Sequence, residues 1–171
     1  MIKIKICGIT NLPDALVATD AGADYLGFIF YPPSKRTTTA PACRAIVSAL
    51  RARSGCPILV GVFVDETGPH MANILQECDL DLAQLSGSEL PALVADPGSP
   101  LYGRSYKALQ PASLAEAEAE AEWYIAPQRA SAHPALLIDT YHPTLRGGTG
   151  QTGDWAMSAH LAQTIPCLLY T

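Results

Sequence analysis

The stretch Ile58-Leu-Val-Gly-Val-Phe-Val64 is seven residues without a polar side chain, and it restricts the fold more than any other feature. A strand with one wet face alternates polar and apolar residues, and a run this short cannot make a core helix. It is expected to be a strand covered on both faces, as in a parallel sheet flanked by helices. Further candidate strands are Ile2–Cys7, Tyr25–Phe30, Leu80–Leu85, Ser105–Leu109, Leu136–Asp139 and Cys167–Tyr170, with Ile58–Val64 as the third.

Helical patterns fall between them. Asn11 is placed to cap a first helix with Pro13 and Asp14 in its opening turn and Gly22 beyond its end. Pro69 opens a third helix, in which Met71, Ile74, Leu75 and Cys78 form one apolar stripe. Ser113 and Glu116 form a capping-box pattern ahead of an Ala-Glu run to Glu122, read as a helix with a solvated face. The class is therefore α/β with a parallel sheet. Pattern alone does not separate an open doubly wound sheet from a barrel. No linker or composition break interrupts the chain, so residues 1–171 are expected to form a single domain.

Composition excludes several function classes. Apolar residues make up 49% and charged residues 16%, a well-buried globular balance. The net charge of −5 gives no general attraction to nucleic acid or to an anionic membrane. The five cysteines (Cys7, Cys43, Cys56, Cys78, Cys167) are odd in number and show no C-x-x-C pair. A disulfide framework or a zinc site is not expected, and a reducing cytoplasm fits best. His70, His133, His142 and His160 lack metal-ligand spacing. No apolar stretch has the length of an export signal or a membrane span, so a soluble protein that is not exported is expected.

In parallel α/β folds, chemistry gathers where strands end and loops begin. Cys7 and Asp139 are titratable groups placed at such ends. Cysteine often packs as a small hydrophobe, and position alone favours that reading for Cys7. A carboxylate closing Leu136-Leu-Ile-Asp139 is costly without a partner or a role, though it can also brace the following loop. Gly148-Thr-Gly-Gln-Thr-Gly153 matches G-x-G-x-x-G by letter. It lacks a strand directly before it, so dinucleotide binding is not expected.

Several motifs together resemble one family. Lys5-Ile-Cys-Gly-Ile-Thr10 is similar to the opening signature of phosphoribosylanthranilate isomerases, and Gly27-Phe-Ile-Phe-Tyr-Pro-Pro-Ser-Lys-Arg36 to their second strand and its loop. Gly61-Val-Phe-Val64, Gln84-Leu85 and Lys107-Ala108 stand where strands three to five belong. Leu137-Ile-Asp-Thr140, Gly147-Gly-Thr-Gly150 and Asp154-Trp155 resemble the sixth strand, its glycine loop and the next helix start. The resemblance implies a (β/α)8 TIM-type barrel and a tryptophan-pathway isomerase without a cofactor. It implies an Amadori rearrangement of N-(5-phosphoribosyl)anthranilate, with Cys7 as general base and Asp139 as general acid. Arg36 is implied to meet the anthranilate carboxylate, and Gly147 and Gly148 to contact substrate. The implied partner is this small molecule alone, the protein being a monomer or a homodimer.

Two departures accompany the resemblance. Ser86-Gly87 stands where the family usually has His-Gly. After Pro166-Cys-Leu-Leu169 the family continues with a glycine pair, an eighth strand and a second phosphate loop, whereas here Tyr170-Thr171 closes the sequence. An incomplete barrel is therefore expected, with strands one to seven present and unit eight missing, from a fragment or an interrupted reading frame in preference to a native short protein. A bifunctional relative that also serves the histidine pathway would carry an aspartate where Cys7 stands. A catalytically silent remnant or an interaction module is the alternative from another class.

Overall fold

A computed structural model of the chain describes residues 3–125, 130, 133–139, 154–165 and 167–169. Among these residues strands and helices alternate: β1 (Lys5–Cys7), α1 (Leu12–Asp20), β2 (Tyr25–Ile29), α2 (Ala40–Arg51), β3 (Ile58–Phe63), α3 (Gly68–Glu77), β4 (Leu82–Leu85), α4 (Ala92–Ala95), β5 (Ser105–Leu109), α5 (Leu114–Tyr124), β6 (Leu136–Ile138), α6 (Trp155–Thr164) and β7 (Cys167–Leu169). The chain divides into two compact units, Met1–Gln84 and Leu85–Thr171.

In the first unit the strands follow chain order, β1-β2-β3-β4. The first three pair in parallel, with Cys7 opposite Gly27 and Gly27 opposite Val60. Right-handed crossovers that always step the same way place every helix on one side of the sheet. A doubly wound sheet must reverse direction at a switch point, and none occurs here. The second unit repeats this winding with parallel β5-β6-β7. The winding left open by sequence pattern is thus that of a (β/α)8 barrel, with its first seven strands among the described residues.

Alternation along each strand sorts the side chains. On the helix side of the first unit lie Leu26, Phe28, Leu59 and Phe63, all fully buried. Helix α2 contributes Cys43, Ile46, Val47 and Leu50, and α3 contributes Met71, Ile74 and Leu75. The opposite face of β1 and β2 carries Lys5, Cys7, Tyr25 and Gly27. In the second unit Leu109, Leu136 and Ile138 pack with Ala117, Ala121 and Leu161 of α5 and α6. The small alanines let α5 approach the sheet closely, while its glutamates stay largely in water.

The caps follow the sequence. Asn11 Oδ1 accepts from the Asp14 N–H at 2.9 Å, and Ser113 Oγ from the Glu116 N–H at 3.3 Å. Glu116 reaches back one residue further than a capping box requires, accepting from the Ala112 N–H at 2.9 Å. Strand ends differ from the apolar runs for local reasons. Leu80 belongs to the turn after α3, its N–H bonded to the Leu75 carbonyl at 2.9 Å. β4 begins only at Leu82, after Asp81 has turned its carboxylate to the Leu59 N–H at 2.7 Å. β6 ends at Ile138, yet the Asp139 N–H still donates to the Leu109 carbonyl at 2.9 Å. That bond continues the ladder while the Asp139 side chain leaves it. Ile2 and Tyr170, at the outer limits of the first and seventh candidate strands, lie outside the described residues.

Candidate active site

Cys7 closes β1 as a free, half-buried thiol. Gly8 follows with a φ of +85°, which a side chain would strain, and turns the chain so that Gly8 and Ile9 both donate to the Gly27 carbonyl at 2.9 Å. The turn has a second requirement. A Cβ on Gly8 would stand 2.8 Å from Cδ and Nε of Arg36, because that side chain lies flat against the glycine. Arg36 Nη1 donates to the Cys7 carbonyl at 2.8 Å. The loop after β2 is thereby anchored to the end of β1, 29 residues away in sequence. The guanidinium has five N–H donors, so donors remain for an anion. The structure thus brings Cys7 and Arg36 together, as one would need if both served one ligand.

Asp139 is half-buried at the end of β6 in the second unit, on the face opposite Leu136 and Ile138. Gln110, just past the end of β5, donates its side-chain amide to Asp139 Oδ2 at 3.1 Å. The register that pairs Leu109 with Ile138 sets these two side chains beside one another. Gln110 was not singled out by sequence, because its role depends on that register. Gly147 and Gly148 lie outside the described residues. Burial pushes the thiols of Cys43, Cys56 and Cys78 up, which makes them poor nucleophiles and bases at neutral pH.

Comparison with known proteins decides the family. The family model for N-(5'-phosphoribosyl)anthranilate (PRA) isomerase matches residues 4–169. The chain belongs to this isomerase family. An N-(5'-phosphoribosyl)anthranilate isomerase of Azotobacter vinelandii is 39% identical over 158 residues, 91% of this chain and 69% of the relative. The crystal structure of the phosphoribosyl anthranilate isomerase of Thermus thermophilus superposes with a TM-score of 0.76 at 33% identity, covering 98% of this chain and 76% of that one. A phosphoribosyl anthranilate isomerase solved in complex with reduced 1-(o-carboxyphenylamino)-1-deoxyribulose 5-phosphate aligns with a TM-score of 0.69 at 26% identity, over 99% of this chain and 87% of that one. Among the described residues no helix is long and apolar enough to cross a membrane.

Ser86-Gly87 follows β4, and the loop they open is held by a buried ion pair. Lys107 Nζ donates to Glu89 Oε2 at 2.7 Å and to the Gly87 carbonyl. Both side chains are almost wholly buried, at 6% and 1% exposure. The Glu89 carboxylate also accepts from the Gly87 N–H at 2.9 and 3.1 Å. Tyr124 of α5 donates its hydroxyl to the Glu89 carbonyl at 2.7 Å and presents its ring to the Lys107 ammonium. Sequence reasoning missed this cluster. Its visible sign was a lysine inside the strand Ser105-Tyr-Lys-Ala-Leu109, which requires a buried partner, though nothing in the sequence named Glu89 as that partner.

Proposed function

We propose that the chain catalyses the Amadori rearrangement of N-(5-phosphoribosyl)anthranilate to 1-(2-carboxyphenylamino)-1-deoxyribulose 5-phosphate. The observation that carries this reading is the family match across residues 4–169, supported by the solved relative that binds a reduced form of that product. In this reading Asp139, as a carboxylic acid, gives its proton to the furanose ring oxygen. The ring opens to an imine whose C2–H is acidified, and the Cys7 thiolate removes that proton. The enolamine takes a proton at C1 and gives up the proton of its C2 hydroxyl, and so becomes the aminoketose. C1 is reduced and C2 oxidised within one molecule, so electrons balance without an external carrier.

Arg36 is proposed to hold the anthranilate carboxylate, for which its planar fork is suited. Gly147 and Gly148 are proposed to offer backbone amides to the substrate. The test is consumption of phosphoribosylanthranilate fluorescence by the purified chain. Turnover abolished by Cys7→Ala supports the reading. Absence of turnover by a folded chain overturns it and favours the silent alternative.

A further inference from the structure

Lys5 and Cys7 are two residues apart on β1 and face the same side. Their partners across the ladder, Tyr25 and Gly27, face that side too. The Lys5 stem runs along the strand toward the thiol. A Cβ built on Gly27 would stand 2.8 Å from Cys7 Sγ and 2.9 Å from Lys5 Nζ. Sulfur and ammonium thus crowd the same point, and the bare Cα of Gly27 is what leaves them room. The ammonium is buried, and it makes no hydrogen bond among the described residues. A buried ammonium without a counter-charge costs several kcal/mol.

The neighbouring groups narrow the identity of that counter-charge. Lys3, further back on the strand, is paired with Asp24 at 2.6 Å. Tyr25 is buried, and desolvation pushes its phenol up, which keeps it neutral. β3 brings Ile58, Val60 and Val62 to this face, with Asp65 in the loop beyond it. On α1, Asp14 accepts from Asn11 and Asp20 from Arg53. The Arg36 guanidinium sits on the Cys7 carbonyl. Of these groups the Cys7 thiol is the acid that shares its point of approach with Lys5.

We propose that Lys5 is the positioning residue that makes Cys7 a base: its buried ammonium is the counter-charge of the Cys7 thiolate, seated beside it against Gly27. An opposite charge within ~4–6 Å favours the charged form by about 1–3 pH units. The catalytic use of that thiolate rests on the function proposed above; its acidity does not, and is measured without substrate.

The experiment is alkylation of the full chain by iodoacetamide across pH 5–10, with Cys7 followed by peptide mass spectrometry apart from the other four thiols. In the folded chain the Cys7 midpoint is expected about one unit or more below that of the same peptide in the urea-unfolded chain. Lys5→Met should move it up by a similar amount, and Lys5→Arg should retain most of the depression. Lys5→Met should also leave the urea midpoint unchanged or raise it, since it removes a buried charge; a purely structural lysine would lower it. If Lys5→Met does not fold, Lys5→Gln is read in the same way. A wild-type midpoint no lower than the unfolded one, or no shift in the substituted chain, overturns the proposal. Loss of isomerase turnover with the alkylation pattern intact would instead count against the proposed function alone.

Discussion

At the scale of single residues the roles separate by kinetics. Cys7→Ala and Asp139→Asn are each expected to lower kcat by about 10²–10⁴-fold, the usual effect of losing a general acid or base. Either variant retaining half of the wild-type kcat would remove that residue from the chemistry. Arg36→Met should chiefly raise KM, because a carboxylate clamp serves ground and transition states alike. Arg36→Lys should not restore it, since an ammonium lacks the fork that also reaches the Cys7 carbonyl. Gln110→Leu removes the donor to Asp139 Oδ2 without touching the backbone ladder. A drop of about tenfold in kcat is expected, the size of one ordinary hydrogen bond. An unchanged kcat in steady-state assays would show that Asp139 is oriented by other contacts.

Elements are joined by charges that sit at their ends. Asp24, ahead of β2, accepts from Lys3 Nζ at 2.6 Å and from the Ile4 N–H at 2.9 Å. These bonds hold its carboxyl below the ordinary carboxylate range. The folded chain therefore binds its proton less readily than the unfolded chain, and Asp24 stabilises the fold above a pH of ~4. That stabilisation is lost as pH falls through the lower folded value. The gap in urea midpoint between wild type and Asp24→Asn should be constant above pH 5 and close toward pH 2.5. A gap that persists in acid would assign the effect to packing. The Lys107–Glu89 pair works differently because it is buried. Lys107→Met leaves a carboxylate without its cation and should cost about 3–5 kcal/mol. The double change with Glu89→Leu should recover part of the loss in equilibrium unfolding.

For the molecule as a whole, stability should be unevenly distributed. The helix-side residues of β2 and β3 are fully buried, whereas Ile4, just ahead of β1, and Ile6 within it are 51% and 41% exposed. Among the described residues β1 pairs with β2 alone. Hydrogen exchange should be slowest at the amides of β2 and β3, and at least about tenfold faster in β1. Equal protection in all three strands, read by mass spectrometry or NMR, would show that β1 is covered on its outer side. The exchange experiment also bears on the proposed chemistry, since Cys7 and Lys5 both sit on this strand.

The sequence alone determined the local order of this protein. Continuous apolar runs identified parallel strands, and asparagine, serine and proline placed the starts of α1, α3 and α5, because caps and runs are read within a few residues. Family motifs at Lys5–Thr10 and Gly27–Arg36 pointed to Cys7 and Arg36 before any contact between them was visible. What pattern left open was the direction of winding, since each β-α unit is locally the same in a doubly wound sheet and in a barrel. Only the strand order, β1-β2-β3-β4 and β5-β6-β7 without a reversal, decided it. The same holds for partners distant in sequence. Glu89 beneath Lys107, Gln110 on Asp139 and Gly27 beside Lys5 and Cys7 depend on strand register and on the space a missing Cβ leaves. Those are properties of the packed chain, and no single segment carries them.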